Sequence, residues 1–125
     1  MSATKPPRRG SVRVTNMRVS MTPDAQPEED ESVVVVDRTN PILGNRHILY
    51  RKSDLRERER VIQAYQKDLD VDLAGDGPMS HELKALADRV GAGERICLVC
   101  WCKPSPCHAD ILAKRIYLMA FPTVI

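Results

Sequence analysis

The chain has 125 residues, a hydrophobic fraction of 42% and a formal net charge of +2, which suits one globular domain with a single core. It shows no secretory signal and no apolar run near the roughly 20 residues that span a bilayer, so we expect a cytoplasmic protein without a membrane partner. Because cytoplasmic thiols stay reduced, the four cysteines between positions 97 and 107 indicate a metal-binding or reactive site rather than disulfides.

Charge changes sign along the N-terminal part of the chain. Residues 1–10 contain Lys5, Arg8 and Arg9 and are predicted to be a disordered basic leader, which could contact nucleic-acid phosphates or remain a solvated terminus. Residues 21–31 carry an acidic run and two prolines. They are predicted to form a solvated acidic loop within one domain, 11–125.

Two strands and a helix are predicted in the first half of the domain. Apolar and polar residues alternate over 11–16, and residues 33–36 are a run of valines typical of a buried strand. Turn formers at 37–41 end this second strand. Asp54 is placed to cap a helix whose arginine–glutamate run faces solvent. Five residues are expected on the buried face of that helix: Leu55, Val61, Ile62, Tyr65 and Leu69.

Two further helices flank a third strand. Ser80 is the predicted N-cap of the second helix, Gly91 is expected just past its end, and Gly93 closes the following turn. Residues 96–101 are strongly apolar and predict a strand, after which Ser105 can cap a last helix. The order strand, strand, helix, helix, strand, helix predicts an α/β fold, a single domain with a small, mainly parallel sheet and helices packed against it.

The residues that carry chemistry are concentrated where the third strand meets the last helix. Cys100 and Cys102 share one face of the strand because side chains alternate along it. Cys107 and His108 then enter the first turn of the helix. Ligands commonly bind at the carboxyl ends of strands in open α/β sheets. We therefore expect these four side chains to converge on one site.

Three interpretations of this site stay open. Cys100, Cys102, Cys107 and His108 have the residue types of a tetrahedral zinc site. Alternatively, Cys107 is a reactive thiolate with His108 as its base or hydrogen-bond donor, because unpaired N–H groups at a helix start favour an anionic sulfur. The same N–H groups could hold a phosphate or carboxylate. The third interpretation is a set of small buried core residues, which is also our interpretation of Cys97.

The segment 100–110 fits the pattern C-x-C-x-P-x-x-C-H-x-D. It resembles the signature of an uncharacterised family of small domains that is common in bacteriophage genomes. Similar features precede it in the family's order. They are an opening strand at 13–18, an Arg then Asn-Pro turn at 37–41, and a first helix at 58–65.

The chain departs from the family's pattern in three ways. An acidic insertion separates Arg18 from Val33, Ile42 replaces an aromatic residue, and a glycine-rich stretch before Asn-Pro is missing. The resemblance implies the fold, the site and a phage setting, and it implies no reaction.

Polar residues near the ends of the first two strands match polar positions of the family and are candidate ligand contacts: Asn16, Arg18, Arg38 and Asn40. Two arginines beside a helix start would suit an anion such as the phosphate of a nucleotide. Alternatively, Arg18 and Arg38 pair with the acidic loop.

The leading hypothesis is a small phage-type protein of the host cytoplasm whose Cys/His site binds or acts on a nucleotide-like or nucleic-acid anion. Cys107 and His108 are its candidate catalytic residues, and the question whether it is an enzyme stays open. The alternative is a non-enzymatic protein that binds a host factor or nucleic acid and contains a structural zinc or thiol cluster.

Overall fold

The fold is a three-stranded parallel sheet with three helices. The computed structural model describes residues 9–16, 27–47, 54–100 and 108–122. Its elements, in chain order, are β1 (Ser11–Asn16), β2 (Ser32–Val35), α1 (Leu55–Ala74), α2 (Pro78–Gly91), β3 (Arg95–Cys100) and α3 (His108–Ala120). The predicted α/β class and the predicted element order are both confirmed.

The strand β3 lies in the middle of the sheet, between β1 and β2, and both pairings are parallel. Asn16 therefore lies beside Cys100, and Val35 beside Val99. Because parallel strands end on the same side, the last residues of the three strands form one edge, which we call the carboxyl edge. Helix α3 packs on β1 and β3, and α1 and α2 pack on α3.

The two faces of β3 are both buried but have different neighbours. Ile96, Leu98 and Cys100 join the hydrophobic core that the helices complete. Cys97 and Val99 point to the other face because side chains alternate along a strand. Cys97 is fully buried there, which confirms its interpretation as a core residue.

Helix α1 begins as predicted, but its buried face differs from the prediction. The Asp54 carboxylate accepts hydrogen bonds from the backbone N–H groups of Arg56 and Glu57, at 3.0 and 3.1 Å. Leu55 was expected to be buried and is 72% exposed, because it is the first helical residue and lies past the end of the core. Arg58, from the run expected to face solvent, is only 8% exposed.

The N-terminus of α2 is capped from a distance, and the prediction of Ser80 as its cap is wrong. The cap position is Gly77, which has no side chain, and Pro78 takes the first helical position. The Asp72 carboxylate accepts instead from the N–H groups of Met79 at 3.2 Å and Ser80 at 2.7 Å. A side chain at Gly77 would displace this carboxylate, since a Cβ there would lie 2.5 Å from one of its oxygens.

The other boundaries differ from the predictions by about one residue. Gly91 is the last residue of α2 rather than the first beyond it, and Gly93, at φ 104°, closes the turn as predicted. The predicted cap of α3, Ser105, lies outside the described residues. None of the helices within the described ranges is long and apolar enough to span a membrane.

Two residues of the predicted leader contact the domain. Gly10 is buried, and a Cβ at this position would lie 1.8 Å from the carbonyl oxygen of Val90, so the close approach requires glycine. Arg9 lies against the C-terminal part of α3.

Candidate functional site at the carboxyl edge

His108 is the first residue of α3 and lies at the carboxyl edge, where it is 6% exposed. Its Nε2 lies 2.6 Å from the backbone carbonyl oxygen of Val36, the residue that follows β2. A carbonyl oxygen only accepts hydrogen bonds, so Nε2 carries a proton and donates it. In the neutral ring, Nδ1 is then the acceptor nitrogen, which can take a proton or bind a metal.

The His108 ring is also packed against Tyr65 of α1. The two ring centroids are 4.9 Å apart and the ring planes are inclined by 60°, an edge-to-face arrangement. The Tyr65 hydroxyl donates a hydrogen bond to the carbonyl oxygen of Leu43 at 2.7 Å. Two buried side chains, one from each helix, therefore bind backbone carbonyls of the segment that follows β2.

Asn40 organises the turn between those two carbonyls. Its side-chain amide donates to the carbonyl oxygen of Val35 at 2.9 Å. Its side-chain oxygen accepts from the N–H groups of Ile42 and Leu43, at 3.0 and 2.8 Å. The structure thus assigns Asn40 a turn-building role, and its predicted contact with a ligand stays a prediction.

The structure describes only some of the other residues that were predicted to contact a ligand. Arg38 lies in the same turn, two residues after Val36, and is exposed. Within the described ranges, no hydrogen bond or ion pair holds its guanidinium. Asn16 is the last residue of β1 and is paired with Cys100, so its backbone lies at the carboxyl edge. Arg18 lies outside the described residues.

The structure brings two of the four predicted metal ligands to this edge. Cys100 ends β3 and is 1% exposed, on the face that packs against the helices, and His108 begins α3. Cys102 and Cys107 lie outside the described residues. Within the described part of the chain, no three Cys, His, Asp or Glu side chains come together as metal ligands would.

Arg58 is a buried charged residue that the sequence analysis expected to face solvent. It lies on the same face of α1 as Tyr65, about two turns nearer the helix start, and is buried. Arginine is almost never fully buried unless its charge is balanced. The spacing of the apolar residues could have revealed this burial. Ile62, Tyr65 and Leu69 lie on one face of the helix, and Arg58 is the residue one turn before Ile62 on that face.

In the part of the chain that the structure describes, the acidic residues pair with Arg13 and Arg95 rather than with Arg38, and the proposed pairing of Arg18 stays a prediction. Within the described ranges, Arg38 has no such contact, and the pairs are Arg13 with Glu31 and Arg95 with Glu28 and Asp30. Arg13 holds Glu31 through two hydrogen bonds, of 2.6 and 2.7 Å. That contact lowers the pKa of the Glu31 carboxyl. On the same face of the sheet, burial raises the pKa of Cys97 to about 11.

Comparison with known proteins places the chain in a family. Residues 19–117 match the family described as a domain of unknown function, DUF4326. The matched range includes β2, β3, all three helices up to Tyr117, and the segment between Cys100 and His108. No curated protein and no solved structure matches the chain. With most of its length matched, this chain belongs to the DUF4326 family of domains of unknown function.

Proposed function

We propose that the carboxyl edge binds or acts on a phosphate-bearing, nucleotide-like or nucleic-acid anion, and that the protein is phage-encoded and works in the cytoplasm of the host cell. Cys107 is the reactive thiolate, His108 is its base, and Arg18 and Arg38 contact the phosphate. The observation that carries the proposal is the hydrogen bond from His108 Nε2 to the Val36 carbonyl, because it leaves Nδ1 as the basic nitrogen of a fixed ring.

The proton chemistry requires only the two neighbouring residues. Cys107 immediately precedes His108 in the chain, and His108 begins α3. The thiol proton of Cys107 would pass to Nδ1 of His108, leaving a thiolate and an imidazolium. The partial positive charge at the start of α3 favours the anionic sulfur.

The proposed contact with an anion is supported by one positive group next to the carboxyl edge. Arg38 lies in the turn directly after β2. A guanidinium can donate two parallel hydrogen bonds to two oxygens of a phosphate.

Titration of the uniformly labelled protein with AMP, followed by amide NMR, tests this proposal. We expect AMP to shift the amides of Asp37, Arg38 and Ala109, and adenosine, which lacks the phosphate, to leave them in place. Arg38→Gln should weaken AMP binding about tenfold through the loss of charged hydrogen bonds. Arg60→Gln, which changes an exposed arginine of α1, is the matched control. Equal shifts with adenosine, or none with AMP, would contradict the proposal.

A structural zinc site is the second candidate, and the same hydrogen bond favours it. Zinc-binding histidines usually donate their other ring N–H to a backbone carbonyl or carboxylate, as His108 does to Val36. The zinc ligands would be Cys100, Cys102, Cys107 and His108. The protein would then be non-enzymatic and would bind a host factor or nucleic acid. Metal analysis of protein purified without chelator decides between the candidates, since this one requires one zinc per chain.

A further inference from the structure

An aromatic and cationic surface lies at the end of α3 farthest from the carboxyl edge. The rings of Tyr117 and Phe121 have centroids 5.1 Å apart, in an edge-to-face arrangement. The Arg9 guanidinium lies 4.2 Å from the Phe121 ring centroid and donates a hydrogen bond to the Tyr117 hydroxyl at 3.2 Å. At the helical rise, Tyr117 lies about 14 Å along α3 from His108, and Phe121 directly follows the end of the helix.

This surface continues along one side of α3 and is open to solvent. Tyr117 is 43% exposed and Leu118 is 46% exposed. Lys114, one turn earlier, is exposed as well. We call the surface the α3 stripe, and it consists of Arg9, Lys114, Tyr117, Leu118 and Phe121. Within the described ranges, no carboxylate pairs with its two cations.

We propose that the α3 stripe binds single-stranded nucleic acid. The exposed part of the Tyr117 ring provides a stacking surface for a base, and adjacent cations can contact the phosphates, which is how proteins bind single strands without reading their sequence. The charge of the residues that precede Arg9 in the sequence fits this partner, since they include Lys5 and Arg8 and no carboxylate. The proposal is independent of the site at the carboxyl edge, because the two surfaces lie at opposite ends of α3.

The proposed contacts differ in their physical effect. Tyr117 would stack on a base through the exposed part of its ring, so its loss should weaken binding at any salt concentration. Arg9 has a guanidinium that already lies on an aromatic ring, and its remaining N–H groups can donate to a phosphate. Its loss should therefore weaken binding and also reduce the dependence on salt.

Fluorescence anisotropy with a labelled oligothymidylate of roughly 20 nucleotides tests the proposal. We expect binding that weakens between about 50 and about 200 mM salt. Tyr117→Ala should weaken it about tenfold, and Tyr117→Phe should restore it to within about twofold, because the ring is kept. Arg9→Gln should lower the slope of log affinity against log salt by about one.

The controls are substitutions of exposed residues on α1. Leu55→Ala removes an apolar side chain and Arg60→Gln a cation outside the α3 stripe, so both should bind like the parent protein. Absence of binding at low salt, or an unchanged affinity in Tyr117→Ala, would overturn the proposal. So would concentration-dependent self-association that Tyr117→Ala abolishes, because the stripe would then be covered by a second copy of the chain.

Discussion

The imidazole of His108 and the backbone carbonyl of Val36 are joined by a 2.6 Å hydrogen bond across 72 positions of sequence. This contact fixes the start of α3 to the end of β2. It also distinguishes the two ring nitrogens, since Nε2 donates to Val36 and the acceptor nitrogen of the neutral ring is then Nδ1. The two roles can be separated by substitution.

Substituting His108 should separate folding from chemistry. In His108→Ala, the buried Val36 carbonyl loses its donor and a cavity forms, so the free energy of unfolding should fall by about 2–4 kcal/mol. In His108→Gln, the side-chain amide can still donate to that carbonyl, and the loss should be about 1 kcal/mol. Urea denaturation followed by circular dichroism measures both values. Equal losses in the two variants would show that the hydrogen bond adds little stability.

The thiols should differ widely in reactivity. Burial raises the pKa of Cys97 to about 11, so in the native protein this thiol should react very slowly with iodoacetamide near neutral pH. Cys107 should react fast, and its rate should reach half of the maximum at a pH below about 8.5, the pKa of a free thiol. His108→Gln should move that midpoint upward. Peptide mapping by mass spectrometry measures each rate, and a Cys107 midpoint at or above about 8.5 would exclude the thiolate.

The ion pair between Arg13 and Glu31 should make stability depend on pH. Pairing lowers the pKa of the Glu31 carboxyl from its ordinary 4.5. Its contribution is therefore complete above that value and is lost as the pH falls through the lowered pKa. Glu31→Gln should cost about 2 kcal/mol near neutral pH and progressively less in acid.

Urea denaturation at several pH values measures this effect, with Glu29→Gln as the control because Glu29 is exposed. Glu29→Gln should change the free energy of unfolding by less than about 0.5 kcal/mol. A cost of Glu31→Gln that stays the same from neutral pH into acid would contradict the account of the pair.

The cap of α2 gives a prediction at a position that local sequence rules overlook. Asp72→Ala removes the acceptor for the N–H groups of Met79 and Ser80, and should cost about 1–2 kcal/mol. Ser80→Ala should cost less than about 0.5 kcal/mol, because Ser80 is inside the helix. The free energies of unfolding of the two variants decide the matter. A larger loss in Ser80→Ala would restore Ser80 as the cap.

The local sequence pattern predicted most of the strands and helices of the fold. The alternation over 11–16 predicts the bounds of β1, and Asp54 predicts the start of α1, because in both cases the determining residues are adjacent in the chain. The cap of α2 was missed because its acceptor comes from Asp72, in the previous helix. Capping rules that look for a polar side chain at the helix start choose Ser80 instead.

The site was predictable only as a cluster of residue types. The sequence places His108 next to Cys107, but it gives no sign that the ring binds the carbonyl of Val36, since that contact depends on how β2 and α3 meet. The burial of Arg58 has the same cause. Its position follows the helical period, but a charged side chain there is buried only because the tertiary structure covers it.

The protonation state of the His108 ring tests the central claim most directly. Long-range proton–nitrogen correlation spectra of the labelled protein, recorded above neutral pH, distinguish a protonated from an unprotonated ring nitrogen for each of the three histidines. His108→Gln, which removes one set of signals, assigns them. The account predicts a protonated Nε2 and an unprotonated Nδ1 at His108. A proton on Nδ1 with none on Nε2 would contradict it, because the ring could then neither donate to Val36 nor act as the base.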